Sequence, residues 1–147
     1  MKIMVINGPN INMIGIREKN IYGTISFDEI IRMINDEANK RGIEVKCLQS
    51  NYEGQLVTWI QDAYFENYDG IIINPGAYTH TSIAIADAIK AIAPIPVVEI
   101  HLSDIDSREE FRKISYLTPY CIAQIKGHKH LGYIEALDTL KEYINQK

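Results

Sequence analysis

Near the middle of the 147-residue chain lies the segment Gly70-Ile71-Ile72-Ile73-Asn74-Pro75-Gly76. Its three consecutive isoleucines leave no polar face, which is typical of a strand covered on both sides. Asn, Pro and Gly then favour a turn, so we expect the strand to end at this point. A central strand of this kind predicts a parallel sheet with helices packed on both faces.

Segments with strand and helix patterns alternate along the whole chain. The predicted strands lie at residues 3–6, 43–48, 70–73, 95–100 and 121–125. The predicted helices lie between a Ser26 cap and a Gly42 cap, and at residues 56–63, 82–92, 109–113 and 133–143. Five strands alternating with helices predict an α/β, flavodoxin-like three-layer fold with a parallel sheet in the order 2-1-3-4-5. We expect one domain spanning residues 1–147.

Composition and charge exclude several classes of protein. Hydrophobic residues make up 46% of the chain and charged residues 23%, as in ordinary globular proteins. The net charge is −4 without a basic run, so we expect no nucleic-acid partner. The longest uncharged stretch, residues 71–86, is interrupted by Asn-Pro-Gly, so we expect no membrane span. Cys47 and Cys121 are interpreted as buried free thiols, which fits a reducing cytoplasm.

Motifs for common cofactors are missing from the sequence. It contains no Gly-x-Gly-x-x-Gly, no phosphate-binding loop and no Gly-x-Ser-x-Gly elbow. Asn74 stands where a phospho-accepting receiver domain needs Asp. His128-Lys129-His130 is a weak metal pattern that we interpret as an exposed turn. We therefore expect neither a metal nor an organic cofactor.

The unusual polar residues follow three of the predicted strands. In such sheets ligands bind beyond the carboxyl ends of the strands, where the winding direction switches, here between strands one and three. The segments that leave these ends bring together Asn10, Asn74, His80, Glu99 and His101. This coincidence predicts the position of a functional site.

Glu99 and His101 stand two residues apart on the fourth strand, so their side chains point to the same face. The carboxylate can accept the proton of one imidazole nitrogen and raise the basicity of the other, which suits an acid or a base. A histidine satisfied at a strand end, with Glu99 as a chance neighbour, is the alternative interpretation.

The connection from residue 8 to residue 25 is far longer than an ordinary loop after a strand, and such loops are often lids. It carries Arg17 and Tyr22. A phenol is a poor base near neutral pH unless a cation favours its anion by roughly 4 kcal/mol. A guanidinium about 4 Å away in a partly excluded site supplies energy on this scale. The alternative is a surface arginine beside a packed tyrosine.

His80 and Arg112 have structural explanations as well as functional ones. His80 lies at the start of the third helix, where Thr81 or Ser82 is expected to cap. Arg112 belongs to a solvated helix start, and it can also reach back to a polar or anionic ligand. Spacing alone decides neither case.

The ordered motifs of the chain resemble those of the type II 3-dehydroquinate dehydratases. The first motifs are Asn7-Gly8-Pro9-Asn10-Ile11-Asn12-Met13-Ile14-Gly15, Arg17-Glu18 and Ile21-Tyr22-Gly23. The later ones, in the family's order, are Gln49-Ser50-Asn51-x-Glu53-Gly54, residues 73–82, residues 98–103, Arg108-Glu109-x-Phe111-Arg112 and Ser115-Tyr116. The resemblance extends to Gly132-Tyr133, nearly the whole chain.

This resemblance implies a cofactor-free lyase that removes water from 3-dehydroquinate by anti elimination through an enolate. By this resemblance Tyr22 is the base and Arg17 is the cation that activates it. His101 is the acid, Glu99 orients the acid, and Asn10 holds a water molecule at the enolate oxygen. The implied substrate contacts are Asn74, His80, Arg112, the Leu102–Ser103 backbone and, from a neighbouring subunit, Asp87. The family further implies a dodecamer built from trimers, acting in the shikimate pathway.

Two alternatives stay open beside this resemblance. One is a non-catalytic, flavodoxin-like module that binds a flavin or another small ligand, although the chain has no phosphate-cradling loop. The other is an inactive scaffold of the same fold, which the joint presence of the acid, base and activating residues disfavours. The chain departs from the family's commoner residues at Tyr52, Asp104, Asp106 and the turn 127–132. None of these departures falls on a catalytic position that the resemblance implies.

Overall fold

A computed structural model describes residues 1–22 and 24–147, so Gly23 of the Ile21-Tyr22-Gly23 motif lies outside the described residues. The strands are β1 (Lys2–Asn7), β2 (Glu44–Gln49), β3 (Gly70–Asn74), β4 (Val97–His101) and β5 (Ala123–Lys126). The α-helices are α1 (Lys19–Tyr22), α2 (Phe27–Lys40), α3 (Glu53–Phe65), α4 (Ile83–Ala91) and α5 (Leu131–Asn145). All strand pairs are parallel and the order is β2-β1-β3-β4-β5, so the predicted α/β fold and strand order are confirmed.

The sheet separates two apolar cores, which makes three layers. Alternate residues of β1 serve the two faces, because successive side chains on a strand point in opposite directions. Ile3 and Val5 pack with α2 and α5, whereas Met4 and Ile6 pack with α3 and α4. Every residue of β3 and β4 is buried, as predicted for β3 from its unbroken isoleucine run. The edge strand β2 is only partly buried.

The predicted ends of α2 are confirmed in atomic detail. Ser26 Oγ accepts a hydrogen bond from the Glu29 N–H at 3.2 Å and donates one to the Glu29 carboxylate at 3.1 Å. Gly42 follows the helix with φ +68°, which glycine adopts easily. The Ile43 N–H then bonds back to the Ala38 carbonyl at 2.9 Å, which closes a Schellman turn.

Several boundaries differ from the prediction for local reasons. β4 begins at Val97 and not at residue 95, because Pro96 has no N–H for the ladder and offers only its carbonyl, to the Ile71 N–H. β5 begins at Ala123, two residues late, and α5 begins two residues early, at Leu131. The helical stretch predicted at 109–113 is a single 3₁₀ turn over Glu110–Arg112. The long connection after β1 contains a 3₁₀ turn (Ile11–Met13) as well as α1.

The two cysteines are free, and both are only half-buried, so the prediction of buried thiols was too strong. Burial raises the pKa of the Cys47 thiol to about 11. Burial, with a smaller effect of the Glu99 charge, raises the pKa of Cys121 further. Both side chains are therefore poor nucleophiles at neutral pH. Within residues 1–22 and 24–147, no helix has the length and apolar character needed to cross a membrane.

Candidate active site

The carboxyl ends of β1, β3 and β4 surround a cavity of about 110 Å³, at the switch point between β1 and β3. Nine of the residues singled out from the sequence line it: Asn10, Arg17, Tyr22, Asn74, His80, His101, Leu102, Ser103 and Arg112. Parallel strands place their carboxyl ends at one edge of the sheet, so segments far apart in the chain meet here. The predicted position of the site agrees with this cavity.

Glu99 and His101 form a buried pair on β4, as their spacing predicts. Glu99 is 0% exposed and His101 is 5% exposed. The imidazole Nε2 donates a short hydrogen bond to Glu99 Oε2. Because Nε2 is occupied, Nδ1 is the nitrogen that remains for a ligand in the cavity.

The Glu99 carboxylate is surrounded by donors from four other segments. Hydroxyl groups donate to it from Thr118 at 2.7 Å, Thr79 at 2.8 Å and Ser115 at 3.0 Å, and the Gln124 amide donates at 3.2 Å. Burial by itself would raise the pKa of Glu99, but the bonds from His101 and the threonine hydroxyls outweigh burial and lower it to about 2. Glu99 is therefore an anion, and it holds the imidazole of His101 in one orientation.

Tyr22 lies at the end of α1 between two guanidinium groups. The Arg17 guanidinium carbon is 4.2 Å from the centroid of the Tyr22 ring. The hydroxyl oxygen of Tyr22, however, accepts a hydrogen bond from Nη1 of Arg108 at 2.8 Å. The sequence interpretation gave Arg17 the role of cation beside the phenol and gave Arg108 none. The place of Arg108 in the Arg108-Glu109-x-Phe111-Arg112 motif was the signal from which a role at the site could have been predicted.

Glu109 pairs with the other arginine at the rim of the cavity. Nε of Arg112 donates to Glu109 Oε2 at 2.6 Å, and Nε of Arg108 is 3.9 Å from the same oxygen. The backbone N–H of Glu109, followed by the Arg112 guanidinium, lowers the pKa of this carboxyl. The guanidinium of Arg112 thus lies at the cavity rim, held there by the Glu109 carboxylate.

His80 and Asn74 line the cavity from β3 and the turn that follows it. Nδ1 of His80 donates to the Ile114 carbonyl at 2.6 Å, and its ring lies 6.5 Å from that of His101. Burial lowers the pKa of His80, which favours a neutral ring. Asn74 donates to the Tyr133 hydroxyl at 3.4 Å. Capping of α4 falls to Ser82, whose Oγ accepts the Ile85 N–H at 2.9 Å.

Of the two remaining residues predicted from the sequence, Asn10 lines the cavity and Asp87 does not. Asn10 has φ +68° and anchors its own N–H on the Asn51 side chain at 3.1 Å, which leaves its side-chain amide at the cavity wall. Asp87 is exposed on α4 and does not line the cavity of its own chain.

The weak metal pattern at residues 128–130 is a turn in which His128 and Lys129 are exposed and His130 is half-buried, and Nδ1 of His128 donates to Glu135 at 2.8 Å. Among residues 1–22 and 24–147, no three His, Cys, Asp or Glu side chains are grouped so that they could hold a metal ion. The cavity instead joins a phenol beside two guanidinium groups to an imidazole backed by a carboxylate. These groups can remove one proton and deliver another within the same cavity.

Comparison with known proteins agrees with this geometry. The model of the family "Dehydroquinase class II" matches residues 1–141. The 3-dehydroquinate dehydratases of Clostridium perfringens strain 13 and of Fusobacterium nucleatum are each 58% identical to this chain, over 147 and 148 residues, and cover at least 99% of it and 100% of their own length. The type II dehydroquinase structure from Butyrivibrio crossotus has a TM-score of 0.95 at 52% identity and covers 96% of this chain and 97% of its own. The chain is therefore a member of the class II dehydroquinase family.

Proposed function

We propose that the protein is a 3-dehydroquinate dehydratase, which converts 3-dehydroquinate to 3-dehydroshikimate by anti elimination of water through an enolate. One observation carries this proposal. The Tyr22 hydroxyl, held by Arg108 and with Arg17 over its ring, opens on the same cavity as the His101–Glu99 pair. A base and an acid in one cavity are what an elimination requires.

In the first step, the ionised oxygen of Tyr22 removes a proton from the carbon next to the substrate ketone. The electron pair of that C–H bond moves toward the ketone and leaves an enolate. The guanidinium groups of Arg17 and Arg108 favour the phenolate before the transfer. Asn10 holds a water molecule that donates a hydrogen bond to the enolate oxygen.

In the second step, the enolate electrons form the new carbon–carbon double bond as the hydroxyl group leaves. His101 donates a proton to this hydroxyl, so it departs as water. Glu99 stabilises the imidazolium before the transfer and keeps the ring aimed at the leaving group. The proton taken by Tyr22 then returns to solvent and His101 takes up a proton from solvent, which restores the starting state and balances the reaction.

Substrate binding follows from the walls of the cavity. Asn74 and His80 offer hydrogen bonds to the hydroxyl groups, Arg112 supplies positive charge, and the Leu102–Ser103 amides bind the carboxylate. We extend the proposal to a homo-oligomer, a dodecamer built from trimers, in which Asp87 reaches a neighbouring subunit's cavity. We place the reaction in the cytoplasm, in the shikimate route to chorismate and aromatic amino acids.

The test is direct, because the product is a conjugated enone carboxylate that absorbs ultraviolet light. The wild-type protein should generate this absorbance from 3-dehydroquinate, and Tyr22→Phe should lower kcat about 10³-fold. Tyr68→Phe is the matched control, since Tyr68 is a buried tyrosine that precedes β3, at the opposite end of the sheet. A flat trace from folded wild-type protein, or full activity in Tyr22→Phe, would refute the proposal.

A further inference from the structure

The loop between β5 and α5, residues 127–130, is bound to the back of the Leu102–Ser103 segment. The Gly127 N–H is shared between the carbonyl oxygens of His101 at 3.3 Å and Ser103 at 3.1 Å. The Lys129 N–H donates to the Leu102 carbonyl at 2.9 Å. Three consecutive carbonyl groups at the end of β4 therefore point toward this one loop.

Peptide planarity decides where the N–H groups of the same segment point. In a trans peptide the N–H of each residue is antiparallel to the carbonyl of the residue before it. The N–H groups of Leu102 and Ser103 must therefore point away from the 127–130 loop. Both residues are buried and line the cavity, and neither N–H donates a hydrogen bond to any residue in 1–22 or 24–147. Buried amides without an acceptor are rare in folded proteins.

We infer that the 127–130 loop is a positioning element, which turns the Leu102 and Ser103 amides into the cavity as a pair of donors for the carboxylate of the substrate. This inference rests on the proposed function and adds the part of the chain that sets the geometry of the anion site. Successive N–H groups on one side of a backbone form a concave anion site.

The loop backbone is shaped for this task at two residues. Gly127 has φ +82° and Lys129 has φ +51°, so both adopt the left-handed region. A Cβ added to Gly127 would stand 3.2 Å from the Asp104 Cβ, directly beside the Leu102–Ser103 segment. An ion pair between Lys126 and Asp106 ties the same two chain segments together on the flank. A change at Gly127 should therefore act on the backbone of residues 101–103, while the side chains of Tyr22 and His101 keep their contacts with Arg108 and Glu99.

The experiment compares two Gly→Ala variants in the full-length protein. Gly127→Ala should raise the KM for 3-dehydroquinate about tenfold, the cost of weakening hydrogen bonds to a charged group, and keep kcat within about threefold. Gly42→Ala is the matched control, because Gly42 also has a positive φ of +68° but nothing lies within 4 Å of an added Cβ. The KM of Gly42→Ala should equal that of the wild type, even if Gly42→Ala lowers Tm by as much as Gly127→Ala does. Equal KM values in both alanine variants would overturn the inference, and so would a loss confined to kcat.

A second measurement covers the cases in which Gly127→Ala does not fold or the wild type does not turn over the substrate. Inhibition or binding by cyclohexanecarboxylate is compared with that of cyclohexanecarboxamide, which has the same ring without the charge. The wild type should prefer the carboxylate, and Asp106→Asn, which breaks the flanking ion pair at an exposed side chain, should reduce this preference. An unchanged preference in Asp106→Asn, or no preference in the wild type, would contradict the role of the loop. Failure of turnover alone would refute the proposed function and leave this binding test valid.

Discussion

At the scale of single residues, Tyr22 depends on two arginines in different ways. Arg17 lies over the ring, whereas Arg108 donates directly to the hydroxyl oxygen at 2.8 Å and also lies 3.4 Å from the Ser103 hydroxyl. The side chain of Arg108 is 14% exposed, so water screens its charge only weakly. Arg108 therefore places a positive charge in direct contact with the Tyr22 hydroxyl, in a part of the cavity that is largely shielded from water.

We predict that Arg108→Met lowers kcat for 3-dehydroquinate about 10²-fold, because methionine retains much of the length and removes the charge and the donor. Initial rates from the enone absorbance measure this loss, and a thermal melt establishes that the variant is folded. Arg32→Met, an exchange of the same type on α2 at a residue that does not line the cavity, should leave kcat unchanged. A kcat for Arg108→Met within about threefold of the wild type would show that Arg17 alone suffices.

The lowered pKa of Glu99 predicts that the stability of the folded protein depends on pH. Its pKa is about 2 in the folded protein against an ordinary value of 4.5, so the unfolded chain binds more protons between these values. The stabilisation by Glu99, roughly 3 kcal/mol, is complete above pH 4.5 and is lost as the pH falls through about 2. In Glu99→Gln this titration is absent.

The measurement is urea unfolding of wild type and Glu99→Gln from about pH 7 to about pH 2. The difference in the free energy of unfolding should be largest at neutral pH and should shrink in acid. Glu110→Gln, at an exposed side chain paired with Lys113, is the control and should have a small effect throughout. A wild-type advantage that persists undiminished to the lowest pH would contradict the role assigned to the ionised carboxylate.

At the scale of elements, Arg41 joins the end of α2 to α5. Its guanidinium donates to Asp138 at 2.6 Å and to Glu37 at 2.7 Å, and the Lys141 ammonium donates to its carbonyl at 2.9 Å. The hydrogen bonds that Arg41 donates to Asp138 and then to Glu37 raise its pKa above an already high value. The Arg41 side chain is 19% exposed, but that of Asp138 is 59% exposed, so water screens part of the attraction in this pair.

Arg41→Ala should lower the free energy of unfolding by about 1 kcal/mol, or about 3 °C in Tm for a chain of this length. Lys40→Ala is the neighbouring control, because Lys40 pairs with the same Glu37 but its side chain is 69% exposed. We expect Lys40→Ala to shift Tm by less than about 1 °C. Equal Tm shifts in the two variants, measured by scanning calorimetry, would mean that the contact between α2 and α5 contributes nothing specific.

At the scale of the whole molecule, Asp87 can have its proposed role only in an assembly of several chains. It lies on α4 outside the cavity of its own chain, so its assigned role requires a neighbour. Co-expressed Tyr22→Phe and Asp87→Ala chains should therefore restore activity in mixed oligomers, to about a quarter of the wild-type level for random assembly. The rate should exceed that of either variant alone. No gain after verified mixing would show that Asp87 acts in no neighbouring site.

The fold was predictable because its signals are local. The unbroken isoleucine run of β3, the capping box at Ser26 and the glycine after α2 each depend on a few adjacent residues, and all three are observed. The Glu99–His101 pair was predictable for the same reason, since two residues on a strand always share a face. The start of β4 was missed although its cause is also local, since Pro96 has no N–H for the ladder and offers only its carbonyl to β3.

The sequence by itself therefore determined the element order, the sheet and the Glu99–His101 pair, because periodicity and turn chemistry act over short distances along the chain. Only the tertiary structure placed Arg108 on Tyr22, 86 positions away. It also brought the hydroxyls of Thr79, Ser115 and Thr118 to Glu99 and set the 127–130 loop behind Leu102 and Ser103. These contacts join loops that leave different strands, and where such loops meet depends on the stacking of the strands and helices beneath them, which no local pattern records.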